Sequence, residues 1–322
     1  MKRISLIGTL AGVALMLSAC GGSNAAAGKN PDSASPVKIN VAETAGIPSA
    51  FLNYGVQKGF FKEEGLDVTV DTSTGGAAAV PGLVSGGLQL AGSNTVSALL
   101  AASKGLPISI VAPGTFASET PEKDFSAVLV AKDSNIKGPA DLAGKTIAVN
   151  TLENIGDISI TAALEKQGVD VSGIKFVEVG FPDMLAAVER GQVDAAWEIE
   201  PFVAIGTAAG NRPVLWPYVD AHPGLMIGSF LATNDYRQQN PKVIEAFRKG
   251  ITKTVQAVSQ DPDSFRAALP QLAKVKPEVA MSMTLPIWKA DVDLESLKFI
   301  EEQMRDHGVT SNPVDVSAIV AD

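Results

Sequence analysis

"VKINVAETAGIPSAFLNYGVQKGFFKEEGLDVTVDT", Val37 to Thr72, is the stretch on which the fold turns. "VKINVAE" alternates as a strand. "SAFLNYGVQKGFFKEEG" carries Phe51, Tyr54, Val56 and Phe60 at helical spacing, and "LDVTVDT" alternates again. The unit repeats at once: "TGGAAAVPGLVSGG" leads into "LQLAGSN", and "TVSALLAASKG" into "PISIVAP". Short apolar strands alternating with helices of about ten to fifteen residues predict an α/β fold of parallel sheets covered on both faces.

The rhythm restarts after "TFASETPEKD". "SAVLVAK", "KTIAVN", "IKFVEVG" and "QVDAAW" read as strands, with "GPADLAG", "IGDISITAALEKQG" closed by Gly168, "FPDMLAAVERG" and "EPFVAIGTAAG" as helices. The C-terminal part changes character. "NPKVIEAFRKGITKTVQAVSQ" sets Val243, Ile244, Phe247, Ile251, Val255 and Val258 on one stripe, with Asn240 as N-cap and Pro241 at the first helical position. "DLESLKFIEEQMRDHG" repeats the device, with Asp293 capping and Gly308 stopping. Such helices need a sheet face to cover, so the chain is expected to return to its first domain. The expectation is two α/β lobes, 37–112 with 231–322 and 113–230. Two crossings, near Ala112 to Asp124 and near Gly228 to Asn234, would join them and leave a ligand cleft between.

The N-terminus, "MKRISLIGTLAGVALMLSACGG", has two cations, an uncharged and mostly apolar run from Ile4 to Leu17, and then small residues. That is a secretory signal, too short for a comfortable membrane span. Leu17-Ser18-Ala19-Cys20 resembles the bacterial lipoprotein cleavage box, and Cys20 is the only cysteine in the chain. A lipidated Cys20 would hold the protein on the outer face of a membrane. Residues 21–36 carry no apolar periodicity and read as a flexible tether. Without Lys2 and Arg3, 24 cations face 35 anions, a net charge near −11 that makes nucleic acid a poor partner. The hydrophobic content of 46% is enough for real cores.

"ERGQVDAAWEIEPF", Glu189 to Phe202, groups Asp194, Glu198 and Glu200 near Trp197. Glu200 precedes Pro201 at a helix start, where a carboxylate caps the helix and meets its dipole. Trp197 and Glu198 are expected at the carboxyl end of a strand, where open α/β sheets bind ligands.

Taken in order, "YGVQKGFFKEEGLDVTV", the Gly75-Gly76 loop, "LVSGGLQLAGSN", "DLAGKTIAVN", "FPDMLAAVERGQVDAAWEIEPFV" and "NPKVIEAFRKGITKTVQAVSQDP" resemble the solute-binding proteins of ABC importers for nitrate, sulfonates, taurine and thiamine pyrimidine precursors. The resemblance covers nearly the whole chain after the leader. It implies the two-lobed clamp of periplasmic binding proteins, an extracytoplasmic monomer, a membrane permease as partner, a small-molecule ligand, no cofactor and no catalysis. It places ligand loops after the strands: Ala45, Gly46 and Ile47 with Phe51; Thr74, Gly75 and Gly76; Ser93, Asn94 and Thr95; Thr115 at the hinge; Asn150, Thr151, Asn154 and Ile155; Asp183; and Trp197 with Glu198. Loops rich in glycine and hydroxyls that lead into helices offer backbone N–H groups to an anion.

Enzyme readings start poorly. The two histidines are His222, in a Pro-Gly turn, and His307, at a helix end. No zinc-ligand spacing occurs, a Ser-His-Asp triad would need His222, and neither "GTLAG" nor "STGG" is followed by the Gly-Lys-Ser/Thr of a phosphate loop. Fungal thiamine-pyrimidine synthases are similar to this family, but they depend on a reactive histidine and a cysteine-rich motif that this chain lacks. None of the candidate loops carries an arginine for bidentate anion binding; Arg190 ends a helix and Arg212 sits in a turn. Trp197 and Glu198 would instead suit an amine or a flat heterocycle, and Trp216 and Trp288 are further candidates for the cleft. The expected solute is of the sulfonate, taurine or nitrate class, with a pyrimidine precursor or other heterocycle or amine as the alternative.

Overall fold

The computed structural model describes residues 35–73 and 75–321, so the leader, Cys20, the tether through Ala34, and Thr74 lie outside the described residues. In chain order the first elements are β1 (Val37–Thr44), α1 (Ile47–Gln57), α2 (Phe60–Glu63), β2 (Leu66–Ser73), α3 (Gly76–Val84), β3 (Leu90–Asn94), α4 (Thr95–Ser103), β4 (Ile108–Pro113) and β5 (Thr115–Phe116). The expected single helix after β1 is two. Gly59 takes a left-handed φ of 81° between them, and the turn buries Phe61 against Phe247 instead of Phe60. The second group is β6 (Ser126–Val130), β7 (Thr146–Val149), α5 (Ile155–Lys166), β8 (Lys175–Glu178), α6 (Phe181–Glu189), β9 (Ala195–Ile199), α7 (Phe202–Ala208), β10 (Arg212–Leu215) and α8 (Pro217–Ala221). The chain finishes with β11 (Gly228–Thr233), α9 (Asn234–Gln239), α10 (Pro241–Gln260), α11 (Pro262–Leu272), α12 (Pro277–Ser282), β12 (Ile287–Trp288) and α13 (Leu294–Asp306).

Two five-stranded sheets result, ordered β2-β1-β3-β11-β4 and β10-β6-β9-β7-β8. Parallel sheets were expected, and each sheet has a parallel set of strands with an antiparallel one among them. β1, β2 and β3 are parallel while β11 runs against β3 and β4; β7, β8 and β9 are parallel while β6 runs against β9 and β10 against β6. The cause is the route of the chain. β6 and β11 each enter a sheet from the junction between lobes, the end at which the parallel strands finish, so they must run the other way. β11 joins the first sheet from Gly228, a little before the boundary expected at residue 231.

Two stretches carry the chain between the sheets and are themselves paired. Gly114 N–H donates to Gly228 O at 2.8 Å, Ile227 N–H to Thr115 O at 2.8 Å, and Ala117 N–H to Leu225 O at 2.8 Å. β5 also pairs with β12. Asp124 fastens the same region, its carboxyl accepting from Val219 N–H at 3.0 Å and Ser126 N–H at 3.3 Å.

The stripe of α10 is buried in full, at Val243, Ile244, Phe247, Ile251, Val255 and Val258. Asn240 does occupy the N-cap position, but its side chain donates back to Tyr236 O instead of capping. Asp293 caps α13 by accepting from Glu295 N–H, and Gly308 takes a left-handed φ of 71° just past that helix. No helix among the described residues is long and apolar enough to cross a membrane.

Candidate functional site

The carboxyl ends of β1, β3, β7 and β9 and the amino ends of β6 and β11 converge on one cavity of about 60 Å³. The first-lobe wall is built from Glu43, Thr44, Phe51, Gly75, Gly76, Ser93, Asn94, Phe230 and Trp288, and the second from Phe125, Asn150, Ile155, Phe181, Trp197, Ile199 and Tyr218. Gly114, Thr115, Ile227 and Gly228 of the paired crossings close the back.

Rings dominate. Phe51 and Trp288 stack at 4.7 Å with planes 10° apart, and Phe265 meets Trp288 edge-on at 5.6 Å. Across the slot, Trp197 touches Phe181 at 5.5 Å and Tyr218 edge-on at 5.9 Å, and Tyr218 touches Phe125 at 5.3 Å. Trp197 is 1% exposed, and its six-membered ring lies over Gly156 at the start of α5. A Cβ there would come within 2.6 Å of the ring, so the wall requires glycine. The indole N–H groups of Trp197 and Trp288 and the carbonyl oxygen of Asn150 are buried with no hydrogen-bond partner among the described residues.

Glu43 is the one acid lining the cavity among the described residues, and sequence reasoning passed it over. In β1 the alternation puts it on the face of Ile39 and Val41, which are core residues, so the signal was an acid at an inward-facing position. Its carboxyl lies across the neighbouring strand at Gly92, where any Cβ would overlap it. It is 7% exposed, and the one hydrogen bond it accepts is from Thr44 N–H at 2.7 Å. Burial pushes its pKa up to about 8, against the small opposing effect of that hydrogen bond.

Of the residues selected from sequence, Phe51, Gly75, Gly76, Ser93, Asn94, Thr115, Asn150, Ile155 and Trp197 line the cavity. Gly46, Ile47, Thr95, Thr151, Asn154, Asp183 and Glu198 do not, and Thr74 lies outside the described residues. Each displaced residue has its own place, Thr151 half-buried in the bend between β7 and α5. Ile47 and Thr95 are core, and Asp183 is exposed in the first turn of α6. Gly46 packs on the Glu200–Pro201 backbone, a cis peptide.

Asn154 is occupied by the seam between lobes. Asn94 Nδ2 donates to its Oδ1 at 2.8 Å, its own Nδ2 donates to Ser97 Oγ at 3.1 Å, and Asp157 completes a capping box at the start of α5. The strand expected to end at Trp197 runs on to Ile199, so Glu198 lies within it and the alternation turns it to the face opposite Trp197. It is wholly buried, neither carboxyl oxygen has a partner among the described residues, and burial pushes its pKa up to about 9. Glu200 caps α7 through Ala204 N–H at 3.1 Å and also accepts from Thr284 N–H at 2.9 Å, tying β9 to the segment after α12. Burial pushes its pKa up to about 7 despite those bonds.

Trp216 is not among the lining residues, whereas Trp288 is. Arg212 donates to Lys132 O, Ser134 O and Ile136 O, far from the cavity lining. Among the described residues no group of three His, Cys, Asp or Glu side chains is placed to hold a metal ion.

The family described as NMT1/THI5 like matches residues 48–265. A taurine-binding periplasmic protein of Escherichia coli K12 is 28% identical over 63% of this chain, and the match spans 61% of that relative's length. A formylaminopyrimidine-binding protein of Halalkalibacterium halodurans is 26% identical over 79% of this chain and 73% of its own. Among solved structures, an alkanesulfonate-binding protein of Xanthomonas axonopodis pv. citri bound to MOPS superimposes with a TM-score of 0.76. The superposition covers 90% of this chain and 99% of that one at 18% identity, a likeness of fold.

Proposed function

Because the chain belongs to the NMT1/THI5-like family, we propose that it is the solute-binding component of an ABC importer, a receptor that closes two lobes on a small solute and presents it to a membrane permease. The observation that carries this reading is the cavity itself. It lies where the strands of both sheets end, between lobes joined by only two paired crossings, the arrangement for hinged closure around a ligand. The names of the relatives, binding proteins and in one case a periplasmic one, support an extracytoplasmic receptor, and a non-catalytic chain acting as a monomer is part of the same proposal. The leader and Cys20 support a lipid anchor. Lobes at 37–112 with 231–322, and at 113–230, belong to the same proposal, with the second boundary moved to Gly228 where β11 enters the first sheet.

The taurine- and sulfonate-binding relatives support that solute class. A second reading, a nitrogen heterocycle or amine, is favoured by the lining: no Lys or Arg, one acid, and rings on both walls. The test of closure is small-angle scattering with tryptophan fluorescence over taurine, alkyl and aryl sulfonates, nitrate and pyrimidine precursors. A bound solute is expected to contract the chain and shift the emission of Trp197 and Trp288, while no change with any solute would overturn the reading. The anchor has its own test. Cys20→Ala is expected to move the protein from the membrane to the soluble fraction, and retention on the membrane would remove the lipoprotein assignment.

A further inference from the structure

Resting on the solute-binding reading, we propose that Glu43 is the specificity-determining residue of the cleft and that the solute carries a positive charge on a flat apolar body, an organic ammonium or amidinium, with the Glu43 carboxylate as its counter-ion.

Three observations lead there. Among the described residues the cavity lining has one acid and no Lys, Arg or His, and the one other titratable lining group is Tyr218. Nor does anything packed around Glu43 bring a cation. β1 pairs Glu43 with Thr72 of β2, the adjacent position on β3 is Gly92, and α1, α3 and β11 contain no charged residue. Asp71 is exposed and on the other face of β2. A buried carboxyl without a positive partner is costly unless something arriving later supplies one.

The second observation is the walls. Phe51, Trp288, Phe125, Trp197 and Tyr218 line the same cavity as the acid, and the face of such a ring attracts a desolvated cation. The third is Gly92. The strand next to β1 lacks the side chain that would displace the carboxyl, so Glu43 is held at the cavity with a single local hydrogen bond and capacity for a bidentate one.

Proton balance follows. In the empty cleft burial keeps Glu43 protonated up to about pH 8. A cation entering the cleft favours the ionised form, so the carboxyl proton leaves to solvent as the solute binds, and affinity rises with pH until that value is passed.

The experiment titrates the full chain with three flat probes that share a ring and differ in charge: benzamidine, benzamide and benzenesulfonate. Benzamidine is expected to bind at least about tenfold more tightly than benzamide. It should gain up to about tenfold per pH unit between pH 6 and 8, and it should release a proton measurable by calorimetry in two buffers of different ionisation enthalpy. Glu43→Gln, nearly isosteric, is expected to remove that preference and the proton release while benzamide binding persists. Benzamide or benzenesulfonate binding as well as benzamidine, or benzamidine binding to wild-type protein without proton release, overturns the charge assignment and leaves the receptor reading standing. Failure of every probe and of taurine, with an unchanged scattering radius, overturns both. The proton release is read on the wild-type chain, so the test survives a variant that folds poorly.

Discussion

The two walls of the cleft are made differently. The first-lobe wall is polar at its edge, with Glu43, Thr44, Gly75, Ser93 and Asn94 around the Phe51–Trp288 stack, whereas the second is almost wholly rings and aliphatics, with Asn150 its one polar side chain outside the tyrosine hydroxyl and the indole N–H. One wall is equipped to read charge and hydrogen bonds, the other to read flatness. The first is assembled from strand ends and helix starts, where a cap can satisfy a polar side chain; Asn94, for instance, caps α4 by accepting from Ser97 N–H, while Glu43 has only the Thr44 N–H. The second is continuous with a buried apolar cluster, since Trp197, Tyr218, Phe125 and Phe181 pack with Ile147, Ile155 and Met184 in it, and that cluster also takes in first-lobe residues such as Ala91 and Leu99.

If that distinction holds, the walls should respond to substitution in different currencies. Trp197→Ala removes a ring packed on Gly156, Phe181 and Tyr218, and is expected to lower stability by about 3–5 kcal/mol in a denaturant melt. A loss below about 1 kcal/mol would mean the second wall is a surface and not a core. The acids come next. Burial raises Glu43 to about 8, Glu198 to about 9, Glu200 to about 7 and Asp124 to about 7, from ordinary values of 4.5 and 3.8. Through that window the folded chain keeps protons that the unfolded chain has released. Stability is therefore greatest below the ordinary carboxylate range and falls as pH climbs towards the raised values. The empty protein is expected to melt at a lower temperature at pH 8 than at pH 5, with both Glu43→Gln and Glu198→Gln flattening the slope. Of the two, only Glu43→Gln should alter binding. A melting temperature that rises across this range would show that these carboxyls have positive partners. The smallest effect is at the seam. Asn154→Ala removes the contacts to Asn94 and Ser97 and half of a capping box, and is expected to cost about 0.5–2 kcal/mol and to enlarge the scattering radius of the empty protein. An unchanged radius would mean the lobes stay together without it.

The alternation of strands and helices was legible because each lobe repeats one unit, and the amphipathic stripe of α10 announced the return to the first sheet, whereas α13 packs on α4 and α5. Strand direction was not legible, since nothing local in "SAVLV" or "GSFLAT" records from which end of a sheet the chain arrives. The site was legible where it is made of loops that follow strands, such as Gly75 with Gly76 and Ser93 with Asn94. It was illegible where rings from distant elements converge. Phe125, Phe181, Tyr218 and Phe230 look like ordinary core residues in sequence, and only the junction of the lobes turns them into a lining. Glu198 was expected in the loop after the strand, but the strand continues to Ile199, and a residue inside a strand faces away from its neighbour Trp197. Asn154 misled because the chemistry that suits a ligand also suits a cap.

The route of the chain also sets an order of assembly. The core of the first lobe is shared between residues near its beginning, such as Ile39, Val41 and Leu52, and residues at its end, down to Ala321. The closing stretch is bonded to the edge strand, with Ile110 N–H donating to Ile319 O at 2.7 Å and Ala321 N–H to Ile110 O at 2.9 Å, while Arg248 donates to Ala321 O. Every strand of the second sheet, by contrast, lies between Ser126 and Leu215. Synthesis runs from the N-terminus, so the middle of the chain has all of its strands while the first lobe still lacks its final contacts. The segment made first is the last to be enclosed, and clipping the few residues after Ile319 is expected to slow folding of the first lobe far more than that of the second.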